Sequence, residues 1–128
     1  MIYLFDTNVL IYYMNGSFSE TELETVDAML EESFDLSIIS KLEFLGWRGH
    51  TPESVVSAQA FIAAATIIQL DDTIANKVIE LKRMFPIRLP DAIIAASAIV
   101  TNAILITRNT RDFNMISDIK LIDPFVAG

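Results

Sequence analysis

Cysteine is absent from the 128-residue chain, and histidine occurs once, as His50. Without cysteine there is no disulfide framework, no thiol nucleophile and no Cys-ligated zinc or iron–sulfur centre. A lone histidine excludes a His-rich metal site and any paired-histidine acid–base scheme. Long apolar runs are missing too: nothing approaches the roughly 18 residues that read as a membrane span. The opening Met1-Ile2-Tyr3-Leu4-Phe5-Asp6 has no basic stretch ahead of its apolar residues and meets a charge early, unlike a signal peptide. Glycine and proline number four each and are scattered, so no linker, repeat or low-complexity segment stands out. Basic residues are scarce: nine against seventeen acids leaves a net charge of −8, which argues against a nonspecific nucleic-acid coat. The expectation is a cytoplasmic protein, not a membrane one, whose chemistry rests on carboxylates and hydroxyls.

What is present describes a folded chain. Hydrophobic residues make 52% of it and charged residues 20%, and the length suits a single domain over residues 1–128. Short apolar runs at 2–5, 36–39, 66–70, 103–106 and 119–122 read as strands. Between them lie helical patterns: Thr7–Met14; Glu20–Glu32, with Leu23, Val26 and Leu30 on its apolar face; and a helix opened by the Ser40-Lys41-Leu42-Glu43 capping box. Thr51-Pro52 opens another, ending near Ala64, and Asp71 or Asp72 caps the next. Pro90-Asp91 starts a helix apolar nearly all round, which must be packed on several sides. Phe44 and Trp47 read as core, with Trp47 alternatively exposed at a partner groove, and His50 reads as a surface or helix-end residue. Strands alternating with helices predict a three-layer α/β/α domain around a mostly parallel sheet of about five strands.

In such sheets ligands bind beyond the carboxyl ends of the strands. Asp6 follows the first strand, Ser40 and Glu43 the second, and Thr107, Arg108, Asn109 and Asp112 the fourth; Asp91 heads the apolar helix. Each acid has an ordinary structural reading: a turn or cap for Asp6, the capping box for Glu43, a helix N-terminal position for Asp91, a turn for Asp112. Their joint placement at one sheet edge is the informative feature. Crowded carboxylates raise one another's pKa and call for a cation. Oxygen ligands without His or Cys suit Mg²⁺ or Mn²⁺. Such an ion activates water and neutralises charge on a phosphoryl oxygen, which points to phosphodiester hydrolysis. Asn8 and Thr7 are supporting candidates beside Asp6. Thr107 reads equally as a β-branched strand end or as a group holding a carboxylate. Arg108 and Arg111 are candidate phosphate contacts, with Lys41, Arg83 and Arg88 behind them.

These residues carry a family resemblance. Phe5-Asp6-Thr7-Asn8, the Glu43 segment, Leu89-Pro90-Asp91-Ala92-Ile93-Ile94-Ala95-Ala96 and Thr107-Arg108-Asn109-Thr110-Arg111-Asp112-Phe113 follow in an order, and over a length, that resemble PIN-domain ribonucleases. The nearest likeness is to compact VapC-type toxins of prokaryotic toxin–antitoxin pairs. The resemblance implies metal-dependent endonucleolytic cleavage of RNA, with Asp6, Glu43, Asp91 and Asp112 as the acidic quartet. It also implies a homodimer and a cognate antitoxin, expected to insert a basic residue among the acids. That partner would cover an apolar groove near the Glu20–Glu32 helix and residues 44–47. Many relatives carry an acid where this chain has Asn109, so the fourth ligand is Asn109 or Asp112, with Asp112 the first choice. Two other readings remain: a non-catalytic module of the same fold that captures a basic partner, and a phosphoacceptor receiver domain. The receiver needs an acidic pair after its first strand and a Lys after its fifth; here Asp6 stands alone and Asp123 follows the last strand.

Overall fold

A computed structural model of the chain describes residues 1–125. Five short strands, β1 (Tyr3–Phe5), β2 (Asp35–Ser37), β3 (Thr66–Ile68), β4 (Ile104–Ile106) and β5 (Lys120–Ile122), form one parallel sheet in the order β3-β2-β1-β4-β5. Helices α1 (Thr7–Met14), α2 (Glu20–Glu32), α3 (Ile38–Leu45), α4 (Pro52–Ile62), α5 (Asp72–Met84) and α6 (Leu89–Val100) cover it, and a 3-10 turn spans Thr110–Asp112. The chain works outward from β1 to β3, then returns to the other side of β1 for β4. That reversal opens a crevice beyond the ends of β1 and β4.

Side-chain alternation along the strands builds the three layers. Leu4 and Leu105 pack with Ile74, Val78, Leu81 and the α6 alanines on one face. Phe5, Ile104 and Ile106 pack on the other with Val9, Leu10, Val26, Leu36 and Phe44. Ala92, Ala95 and Ala96 are fully buried, so α6 approaches its neighbours closely, as its all-round apolar sequence predicts. On the opposite layer the Tyr13 hydroxyl donates to Asp27 at 2.6 Å, tying α1 to α2 and pushing the phenol up to about 12.

Several boundaries differ from expectation, and one difference matters. Strand β2 stops at Ser37, and Ile38 and Ile39 wind into α3 rather than extending the strand. Ser37, still extended at φ −65° and ψ 147°, is the cap: its hydroxyl oxygen accepts the Ile39 N–H at 3.2 Å. Ser40 therefore lies inside the helix, buried, with its hydroxyl unpartnered among the described residues. The Ser40–Glu43 capping box does not form, which leaves the Glu43 carboxylate free for other partners. Elsewhere Asp71 caps α5 by accepting the Ile74 N–H, and α6 begins at Leu89 behind Arg88. Leu23 is exposed, and α2 buries Val26 and Met29 instead. Trp47 is 50% exposed rather than core, whereas Phe44 is buried as expected. His50 precedes α4, its ring nitrogens held by Ser54 Oγ and the Phe44 carbonyl.

Candidate active site

Strand β1 ends at Phe5, and the next residue both continues the sheet and starts a helix. The Asp6 N–H donates to the Ile106 carbonyl at 2.9 Å, extending the β1–β4 ladder by one bond. The Asp6 backbone is extended, so its carboxylate caps α1 by accepting the Thr7 N–H at 2.8 Å on Oδ1. Its Oδ2 accepts the Thr107 hydroxyl, also at 2.8 Å. Thr107 is fully buried just past β4, and its Oγ1 accepts the Asn109 N–H at 3.0 Å. Both readings of Thr107 are thus realised at once: it ends the strand region and it fixes the carboxylate.

Thr7 links the first acid to the second. Its hydroxyl donates to Glu43 Oε1 at 2.7 Å, reaching from α1 to α3. Asp91 enters from the first turn of α6, where its Oδ2 lies 3.4 Å from Arg88 Nε. Asp6, Glu43 and Asp91 line one cleft of about 190 Å³ with Thr7, Asn8 and Asn109; Ile11 and Trp47 wall it, and Arg88 stands at its edge. A larger hollow of about 440 Å³ is lined by Tyr3 and the α2 residues Glu24, Thr25, Met29 and Glu32, so both of its acids come from one helix rather than from separate elements.

Burial is the main reason the Asp6 carboxyl is pushed up to about 6. The hydrogen bonds from Thr107 and Thr7 oppose that rise, and the charges of Asp91 and Glu43 add smaller increments to it. Crowding among acids, expected from the sequence as the source of perturbation, is therefore secondary to desolvation of one of them.

The remaining sequence candidates lie elsewhere. Asp112 is exposed on the 3-10 turn and does not line the cleft, whereas Asn109 does. The Arg108 guanidinium lies over the rings of Tyr12 and Phe125, 5.2 and 4.5 Å from their centroids. Arg111 is exposed on the same turn as Asp112. Ile11, on α1, and Trp47, two residues past the end of α3, wall the cleft, a role that no local sequence signal marks.

The donor set, carboxylates with amide and hydroxyl oxygens, fits a hard divalent cation. Among the described residues no three acidic or histidine side chains stand close enough to cage an ion by themselves. An ion here would keep several waters, as Mg²⁺ commonly does. Asp6, Glu43 and Asp91 would be its nearest protein carboxylates.

The model of the PIN domain family matches residues 3–118, and the chain belongs to that family. Within it, the fold is similar to chains of toxin–antitoxin complexes. A chain of a Klebsiella pneumoniae toxin–antitoxin complex is 29% identical, with a TM-score of 0.76 over 95% of this chain and 97% of that one. A chain of VapBC-1 from nontypeable Haemophilus influenzae is 26% identical, with a TM-score of 0.80 over 97% and 98%. A chain of the Rickettsia felis VapBC2 complex, bound to a promoter DNA fragment, shares the fold at 24% identity and a TM-score of 0.81, over 95% and 98%. No curated protein sequence matches the chain.

Proposed function

We propose that the chain is a Mg²⁺- or Mn²⁺-dependent endoribonuclease, the toxin of a VapBC-type toxin–antitoxin pair acting as a cytoplasmic homodimer. The observation that carries this reading is the meeting of Asp6, Glu43 and Asp91, from three separate elements, in one cleft at the sheet's switch point. When bound, the ion supplies an activated water and neutralises charge on the phosphoryl oxygen. Asp6 is held in one rotamer by Thr107 and Thr7, and Thr7 sets the reach of Glu43. Asp91 is fixed by its place on a buried helix. Asn8 and Asn109 present amides to the same space, and the geometry favours Asn109 over Asp112 for the fourth position. Like charges in one cleft also welcome a guanidinium, which supports an antitoxin that inserts an arginine there. Beside the cleft, an apolar hollow of about 170 Å³ between Ile11, Met14, Phe44 and Trp47 offers that partner a seat on α1 and α3. The residues of α2 do not line it.

The open spacing of the three acids favours, as a second reading, a protein of this fold that captures a basic partner without catalysis. One experiment separates the two. Wild type should cleave RNA with Mg²⁺ or Mn²⁺ and stop in EDTA. Asp6→Asn, Glu43→Gln and Asp91→Asn should each lose about 100-fold or more, the scale of a key catalytic group. Cleavage that persists in EDTA, or near-normal rates in two of the three variants, overturns the nuclease assignment.

A further inference from the structure

Among the described residues, Arg88 is the only cation that lines the acid cleft. Its backbone is fixed immediately ahead of α6, extended at φ −71° and ψ 151°, with Pro90 two residues on. Its head is not fixed. The side chain is 80% exposed against 16% for Asp91, and the pair meets through a single Nε contact at 3.4 Å. The Arg88 side chain makes no other hydrogen bond or ion pair among the described residues, so the outer fork of the guanidinium is uncommitted. An exposed pair of this kind is weak and easily exchanged. The other arginines of this region are not so placed: Arg108 lies against aromatic rings, and Arg111 does not line the cleft.

We propose that Arg88 is a two-position residue of the cleft. It pairs with Asp91 while the acids hold no cation, and it turns to a non-bridging phosphate oxygen of the RNA strand once an ion has claimed Asp91. This deepens the nuclease reading and rests on it. An arginine suits the second position because its planar fork gives a phosphate two parallel N–H bonds. It suits the first because it partly offsets the cleft's negative charge yet leaves without breaking a buried contact. Arg88 thus competes with the ion for Asp91 and assists the substrate, so its removal acts on the two ligands in opposite directions.

Arg88→Gln and Arg88→Lys test this against wild type. In calorimetric titration with MnCl₂ alone, Arg88→Gln should bind about two- to five-fold more tightly, the scale of an exposed ion pair. With a single-stranded oligoribonucleotide and saturating Mn²⁺, its KM should rise about 10-fold, as expected for one lost charged hydrogen bond. The kcat should stay within about three-fold of wild type, because the contact serves ground and transition states alike. The slope of log KM against log salt should shrink by about 0.7 in magnitude. Arg88→Lys should restore the salt slope and part of the KM. Unchanged Mn²⁺ affinity together with unchanged KM overturns the proposal, and so does a fall in kcat at constant KM. Failure of the nuclease reading looks different: wild type itself then cleaves no RNA at any Mn²⁺ concentration.

Discussion

Asp6 concentrates the tension between folding and chemistry in one side chain. It caps a helix, closes a sheet ladder and faces the cleft, all while buried. With a folded-state pKa of about 6 against an ordinary 3.8, it binds its proton more tightly folded than unfolded. That stabilises the fold below about pH 4, and the advantage is lost as pH rises through 6. Two units correspond to about 3 kcal/mol at most. Asp6→Asn removes the titration and keeps one acceptor for the Thr7 N–H. In EDTA the variant's melting temperature, relative to wild type, should climb between pH 4 and 6 and level off above, by at most about 10 °C in total. A difference that stays flat with pH would show that Asp6 is not strained by its burial. The position of Asp6 was legible from an apolar strand ending in an acid. Its burial was not, because that depends on Thr107, a hundred residues away in the chain, folding over it.

The third helix shows how an element can be read correctly and framed wrongly. A Ser-x-x-Glu pattern after a strand suggested a capping box starting at Ser40, which would have consumed Glu43. Strand β2 is only three residues long, and Ser37 caps the helix instead. Periodicity found the helix; the frame was decided by where the parallel ladder with β3 ends, which local sequence does not carry. The shift places Glu43 next to the buried Phe44 in the helix and in reach of Thr7. Downstream of β4 the same uncertainty was open between Asn109 and Asp112. The 3-10 turn at Thr110–Asp112 leaves Asn109 at the cleft and Asp112 in solvent. Asn109→Ala should therefore lower Mn²⁺-dependent RNA cleavage by about 10-fold, the loss typical of a supporting group. Asp112→Asn should fall within about three-fold of wild type, as for a group that touches neither ion nor substrate. The opposite ranking in the same cleavage assay would return the fourth position to Asp112.

At the scale of the molecule, the RNA cleavage proposed for this acidic chain is reconciled with its charge by where that charge sits. The net charge of −8 disfavours nonspecific binding to a polyanion, while the cleft gathers acids that only a cation reconciles with a phosphate. The order of strands and helices predicted a parallel three-layer domain, and the sheet has that form because alternate strand residues feed two separate helical layers. Which acids share a cleft followed from that topology, since β1 and β4 lie side by side and α3 and α6 begin near their ends. The walls at Ile11 and Trp47 and the edge at Arg88 needed three-dimensional packing to be seen. We propose that Asp6, Glu43 and Asp91 together hold a divalent ion. Titration calorimetry with MnCl₂ at pH 7.5, wild type against Asp6→Asn, tests it most directly. Wild type should bind saturably, and the variant at least about 10-fold more weakly. Equal affinity in the two proteins would show that Asp6 holds no ion.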